Sequence, residues 1–387
     1  MDPIIYLDNS ATTKVFPAVV EIMGKYMTEL YANPSAAYRV AIEIVRDIKN
    51  SRALIAKTIK AFPEELYYTS GGTESNNMAI LGVIKSNHGR KKHVITTKIE
   101  HPSVLEVYKT LEKDGFDVTY LNVDSKGLIN INDVKNALRS DTVLVSIMHV
   151  NNEIGTIQDI ENISHIIKQQ NPQIIFHSDG VQAFGKIPIS MNRNHIDLYT
   201  ASAHKIHGPK GIGILYVRNG TPLQTITYGG GQEKGIRSGT ENVPGIMGLA
   251  QALQILGEND NTAIKQISTL KRILSDGLTK KINEAYVNGP EVLQSAPHIL
   301  NISFRGVRGE VLVHVLESKG ILVSTGAACS SKKKIISHVL TAIGIPENLA
   351  SSSIRFSLGT FTTQEEIYIT IEETCKAVQQ LRKYRRD

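Results

Sequence analysis

The sequence predicts an α/β protein with two domains, and three observations carry that expectation. Its 387 residues exceed what one hydrophobic core comfortably organises. Between about residue 15 and residue 255 helical patterns alternate with short apolar runs, the signature of βαβ units around a mostly parallel sheet. Beyond that the character changes to a long amphipathic stretch followed by a strand–helix–strand pattern, as in a smaller α+β unit.

In chain order, "SRALIAKTIKA" (51–61) reads as a helix, and "ELYYTSGGTESNNMAILGVIKS" (65–86) as a strand, a glycine turn and a helix. "HVITTKIEH" (93–101) is a strand, "PSVLEVYKTLEKDG" (102–115) a helix, and "FDVTYLNV" (116–123) and "DTVLVSIMHVNN" (141–152) are strands. "QIIFHSDGVQ" (173–182) and "IDLYTASAHK" (196–205) repeat one idea, an apolar run ending in polar, titratable residues. Residues 262–284 form a long amphipathic helix. "HILNISFRGVRGEVLVHVLESKGILVST" (298–325) holds strands around a helix, and the stretch from Thr362 is helical with a basic end, "LRKYRRD". The expected division is a large domain over 15–258 and a small domain formed by 1–14 with 259–387, the latter carrying a cysteine loop at about 323–338.

Composition excludes several classes. With 41% hydrophobic and 21% charged residues the chain is that of an ordinary globular protein, and a net charge of +6 is modest for its length, so direct nucleic-acid binding is not expected. No apolar run reaches the roughly 18–20 residues that span a bilayer, and "MDPIIYLDNSATT" opens on an acid without an apolar leader. The two cysteines, Cys329 and Cys375, show neither metal-ligand spacing nor a disulfide framework, so a reducing cytoplasm is the expected compartment and no resident metal is expected. "GPKGIG" (208–213) resembles part of a dinucleotide fingerprint but precedes a strand, and phosphate loops of Walker type are absent.

Chemistry concentrates at the strand ends, where open α/β sheets bind ligands. One end offers "SGGTE" (70–74), others Glu100 with His101, Asn151 with Asn152, Asp179 with Gln182, and Ser202, His204 and Lys205 in "SAHK". Together they make an aldehyde-cofactor site. A strand-end lysine can form a Schiff base with pyridoxal phosphate, and a buried carboxylate would keep the pyridine nitrogen protonated. The glycine turn opening a helix presents backbone N–H groups to a phosphate, with Ser202 and His204 as further donors. His101 can stack over the ring and move protons near neutral pH.

These residues resemble those of the cysteine desulfurases in the class-V aminotransferase superfamily. The likeness runs through "YLDNSATT", "NPS", "YTSGGTESNN", "TTKIEHPSVL", "VSIMHVNNEIGTIQDI", "HSDGVQAFGK", "SAHKIHGPKGIGILYVR", "GGGQEKGIRSGTENV", "STGAACSS" and "SSIRFSLG", in that order along nearly the whole chain. The resemblance implies a fold type I pyridoxal-phosphate-dependent transferase with a mostly parallel seven-stranded sheet in the large domain. It implies Lys205 as the Schiff-base lysine, Asp179 at the pyridine nitrogen, Gln182 at the phenolic oxygen, Asn152 at cofactor or substrate, and His101 as stacking acid/base. Gly72, Thr73, Ser202 and His204 would hold the phosphate, and Thr240 would reach the phosphate in the other subunit of a homodimer. Arg355 would clamp the substrate carboxylate, and Cys329 would attack the sulfur of L-cysteine, become a persulfide and release alanine. Its acceptors would be an iron–sulfur scaffold or a tRNA-thiolating enzyme, with room for a transient iron–sulfur contact at Cys329.

The chain also departs from the family pattern. Tyr38 and Ala41 stand where a histidine and a glycine are usual, and "TGAAC", with Thr325 and Ala327, replaces "SGSAC". Lys332, Lys333 and Lys334 make the cysteine loop unusually basic, as would suit an acidic acceptor or one bound to tRNA. Alternatives of the same fold are an aminotransferase, which needs no cysteine nucleophile, and a selenocysteine lyase; a non-catalytic scaffold would have no need of the complete set of Lys205, Asp179, His101, Arg355 and Cys329. Cys375, in helical "IEETCKAVQQL", reads as a packing residue.

Overall fold

The computed structural model describes residues 4–88, 92–258, 262–326 and 336–383. Its strands are β1 (Ile5–Tyr6), β2 (Leu66–Thr69), β3 (His93–Thr97), β4 (Asp117–Leu121), β5 (Thr142–Ser146), β6 (Ile175–Asp179), β7 (Leu198–Ser202), β8 (Gly213–Val217), β9 (Ala285–Val287), β10 (Ile299–Phe304), β11 (Ile321–Leu322) and β12 (Ser353–Ser357). The longer helices are α1 (Pro17–Thr28), α2 (Arg39–Thr58), α3 (Gly72–Ser86), α4 (Pro102–Lys113), α5 (Ile131–Ala137), α6 (Ile160–Gln170), α7 (Val243–Glu258), α8 (Thr262–Lys281), α9 (Gly309–Glu317) and, after two short turns of helix, α10 (His338–Ala342) and α11 (Glu347–Ala350), the closing α12 (Gln364–Lys383).

Seven strands form one sheet in the order β2-β8-β7-β6-β5-β3-β4, parallel except that β8 runs antiparallel to both its neighbours. The central strands are buried on both faces, which is why they read as nearly continuous apolar runs. Successive residues serve opposite layers. Val145, Phe176, Tyr199 and Ile214 pack with α2, α6 and α7, while Leu144, Ile175, Leu198 and Leu215 pack with α3 and α4.

A second core gathers Leu270, Leu274 and Leu278 of α8, Ile302 and Phe304 of β10, Phe356 of β12 and Ile371 of α12. Its sheet is antiparallel, in the order β12-β10-β9. Ile5 and Leu7 belong to this core, because β1 pairs in parallel with β11 although more than three hundred residues separate them in sequence. Cys375 packs against the same core.

Two boundaries differ most from the sequence expectation. The helix read at 51–61 starts at Arg39, because Ala41, Ile44, Ile48 and Ile55 continue one buried stripe across both halves. The strand read at 141–152 ends at Ser146. Beyond it the chain still follows β6, with Ile147 N–H donating to the His177 carbonyl at 3.1 Å and His149 N–H to that of Asp179 at 2.9 Å, before Val150 bridges to Ile157 in a turn. The apolar run thus extends past the ladder and delivers Val150 and Asn152 to the sheet edge. Among the described residues no helix is long and apolar enough to cross a membrane, and none of the His, Cys, Asp and Glu side chains cluster in threes fit for a metal.

The end of β6 is packed without slack. A Cβ on Gly180 would lie 1.9 Å from Tyr199 Cζ and 2.3 Å from its hydroxyl oxygen. Tyr199 is fully buried and cannot withdraw. Gly180→Ala is therefore expected to destabilise the fold by about 3 kcal/mol. Urea denaturation checks this; an unchanged midpoint would contradict the packing described.

Candidate active site

The C-terminal ends of the parallel strands open into a cavity of about 500 Å³. Gly72, Thr73, His101, Asn152, Asp179, Gln182, Ser202, His204, Lys205 and Arg355, all expected from the sequence, line it. So do residues to which the sequence reading gave no role, including Asp8, Ser10, Ala11, Asn76, Ser103 and Val181.

The floor is built by β2, β6 and β7. Gly71 leaves β2 with φ +153°, and a Cβ on Gly72 would strike Val181 Cγ2 at 2.7 Å, so the first turn of α3 comes down close on the neighbouring strand end. Helix geometry leaves the first N–H groups of α3 without intrahelical acceptors, and the fully enclosed Ser202 Oγ beside them has no hydrogen-bond partner among the described residues. His204, with Nδ1 3.3 Å from Thr12 Oγ1, is pushed down to a pKa of about 4, by burial first and then by Lys205, Lys210 and Lys186. It is neutral at physiological pH.

Asp179 ends β6 and is only 5% exposed. Its Oδ1 accepts from Val181 N–H at 2.9 Å and its Oδ2 from Asn76 Nδ2 at 2.8 Å. The same Asn76 nitrogen reaches Ser103 Oγ at 2.8 Å, and Ser103 Oγ lies 2.8 Å from His101 Nδ1. His101 caps α4, its Nδ1 accepting the Ser103 N–H at 3.1 Å, which leaves Nε2 to carry the proton of the neutral ring. Burial lowers the His101 pKa, Asp179 opposes that, and Lys205 and His338 reinforce it.

Lys205 follows β7 on a single 3₁₀ turn, Ala203–Lys205. Its Nζ donates to the carbonyls of Ser10 at 2.5 Å and Ala11 at 2.8 Å. Burial pushes its pKa down to about 8, with Arg355 acting the same way and Asp8 and Asp179 against it. The amine is thus far more readily deprotonated than an exposed lysine, and its neutral form is the nucleophile. Arg355, on β12, donates from Nη2 to Asp8 Oδ1 at 2.7 Å and from Nη1 to the Asn152 carbonyl at 3.0 Å, while its buried Nε has no partner among the described residues.

Thr240 does not line the cavity of its own chain and is exposed. Tyr38 is exposed at the start of α2 and Ala41 is buried beneath it; neither touches the cavity. Cys329, Ala327 and Lys332, Lys333 and Lys334 lie outside the described residues. The flanking residues are described: Ser324 and Gly326 line the cavity, Ser337 Oγ donates to Glu153 Oε2 at 2.6 Å, and His338 Nε2 lies 3.0 Å from the Glu100 carbonyl.

A family model, aminotransferase class-V, matches residues 5–369. The cysteine desulfurase IscS of Dictyoglomus turgidum is 44% identical over 98% of this chain and 95% of its own length. That of Methanosarcina thermophila is 43% identical over 98% and 93%. Among solved structures, a NifS-like protein superposes with a TM-score of 0.91 at 39% identity, covering 98% of this chain and all 100% of its own. One described as SspA in complex with cysteine gives 0.81 at 36%, over 93% and 100%. The chain belongs to the class-V aminotransferase family. Within that family it is an enzyme of cysteine desulfurase type.

Behind the site Glu100 is fully buried, its Oε1 accepting from Thr97 Oγ1 at 2.8 Å and Met148 N–H at 2.9 Å. Burial raises its pKa from 4.5 to about 8. A carboxyl raised in this way stabilises the fold fully below its unfolded value and loses that contribution as pH rises through the native one. Glu100→Gln is therefore expected to match wild type near pH 4.5 and to be more stable at pH 8, by roughly 3–4 kcal/mol. Denaturation midpoints across that window check it, and parallel pH profiles for the two proteins would contradict it.

Proposed function

We propose that the protein removes sulfur from L-cysteine, giving L-alanine and a persulfide on Cys329, with pyridoxal 5′-phosphate held in the cavity. The observation that carries this is a half-buried lysine amine with a depressed pKa beside a buried carboxylate, above a phosphate-sized cradle. The cofactor fits the residues present. The unpartnered Ser202 Oγ and the α3 N–H groups supply donors for a phosphate, and the Gly72 backbone comes close where a side chain would collide. Gly72, Thr73, Ser202 and His204 take the phosphate, Asp179 the pyridine nitrogen, Gln182 the phenolic oxygen and Asn152 the neighbouring edge. When bound, the cofactor supplies an electron sink for carbanion character on the substrate.

The protein's own groups do the rest. Lys205, in its neutral form, would hold the cofactor, and its amine is placed to move the proton of the substrate α-carbon. His101, with its proton on Nε2 and Nδ1 fixed by Ser103, would lie against the cofactor and shuttle a proton from Nε2. Arg355 grips the substrate carboxylate while Asp8 and the Asn152 carbonyl hold the guanidinium in place. The Cys329 thiolate attacks the substrate sulfur; an S–S bond forms, the carbon–sulfur bond breaks with its electron pair left on carbon, and a proton there completes alanine.

Thr240, exposed and away from its own cavity, together with exposed Tyr31, Ile42 and Tyr228, favours a homodimer in which Thr240 serves the partner's phosphate. The persulfide then passes to a protein acceptor in iron–sulfur cluster assembly or tRNA thiolation, in a reducing cytoplasm, and the lysines at 332–334 favour an acidic acceptor.

Cys329→Ala is expected to lower alanine release from cysteine by at least about 10³-fold while the yellow cofactor absorbance remains. Release at the wild-type rate would refute the persulfide route and point to transamination. Arg355→Lys, which loses the two-pronged grip, is expected to raise KM for cysteine by about 10–100-fold; steady-state kinetics with an unchanged KM would remove Arg355 from the substrate site.

A further inference from the structure

Gln182 lines the cavity, yet both ends of its amide are already engaged. Its Nε2 donates to the Ser10 carbonyl at 3.0 Å, and its Oε1 lies 3.2 Å from His298 Nε2. The Ser10 oxygen can only accept, so the amide nitrogen must face it; the inverted amide would set two carbonyl oxygens against each other. Gln182 Oε1 likewise can only accept, so His298 must donate from Nε2. That ring is 1% exposed, and among the described residues its buried Nδ1 makes no hydrogen bond that would impose the other tautomer. Burial keeps the imidazole neutral, and Lys186, Lys271, Lys205 and Arg355 around it act in the same direction.

The Gln182 amide has two hydrogens, of which the Ser10 carbonyl uses one. We infer that His298 is a positioning residue, whose hydrogen bond locks the Gln182 amide so that its second N–H is presented to the phenolic oxygen of the bound cofactor. The inference rests on the cavity being a pyridoxal phosphate site. His298 lies just before β10, in the half of the chain that holds the second core, so that half sets the polarity of a donor on the sheet. Without His298, Oε1 would be buried unpaired and the Ser10 carbonyl alone would orient the amide, leaving its second N–H less firmly directed.

A donor at the phenolic oxygen favours its anion and weakens its hold on the proton shared with the lysine-linked nitrogen. Losing the donor therefore raises the pH at which the chromophore deprotonates. The charged and titratable groups facing that nitrogen, Arg355, Asp8, Asp179, Lys186, His101 and His204, are not replaced by substitution at 298.

The experiment is a pH titration of the cofactor absorbance in the holoenzyme, with pyridoxal phosphate binding to the apoprotein measured alongside. His298→Phe and His298→Met, which keep the volume and remove the donor, are expected to shift the transition up by about one pH unit and weaken cofactor binding about tenfold. His298→Gln, whose amide nitrogen can occupy the place of Nε2, is expected to restore both. Gln182→Leu is expected to shift the transition as far as His298→Phe. If Gln182→Leu shifts it and the Phe and Met variants do not, or if His298→Gln behaves like Phe, His298 only fills space and the inference is overturned. If Gln182→Leu shifts nothing, the placement of the cofactor against Gln182 fails, and the inference with it.

Discussion

The bond between Lys205 Nζ and the carbonyls of Ser10 and Ala11 is the contact on which the rest of the site depends. Its chemistry decides the state of the lysine. Carbonyl dipoles satisfy the N–H groups of a buried amine without supplying a countercharge, so burial can lower its pKa; an adjacent carboxylate in the same place would have held it protonated. The same carbonyl of Ser10 receives Gln182, and Asp8, two residues earlier, holds Arg355. These acceptors sit on a segment fixed elsewhere, with Leu7 in the second core and β1 against β11. The site is therefore complete only when both cores have formed and the N-terminal segment lies between them.

Charge is rationed around this contact. Asp179 is buried with two donors, and the Asn76 that serves it also reaches Ser103, so the carboxylate and the His101 ring are set by one short network. Glu100 lies close enough for Asp179 to oppose its ionisation, and burial keeps it protonated at neutral pH. A second fixed negative charge behind the strand ends is thereby avoided, and Asp179 remains available to a cationic nitrogen.

Much of this was legible in the residues. Asp179, Lys205, Asn152 and His101 stand where apolar strand runs stop, and the sheet topology brings those stops to one edge. Asp8 and Ser10 follow an apolar run too, but the strand there is two residues long and pairs with β11, a contact that local pattern does not reveal. Asn76 carries no local signal of a role; its task follows from the close approach of α3 to β6. His298 was silent for a similar reason, since its partner Gln182 lies 116 residues earlier and belongs to another layer. The N-terminal half of α2 escaped the sequence reading because its buried stripe is carried by widely spaced Ile44 and Ile48 between charged residues. The cysteine was identifiable only through motif resemblance, and it lies outside the described residues.

The central claim is that the cavity built around Lys205 delivers the sulfur of cysteine to Cys329. The most direct test is a single turnover with sulfur-labelled L-cysteine, followed by mass spectrometry of the peptides carrying Cys329 and Cys375. The account predicts one labelled sulfur atom on Cys329, none on Cys375, and none on either in Lys205→Ala. Label released wholly as free sulfide, or carried by Cys375 with Cys329 unmodified, would contradict it.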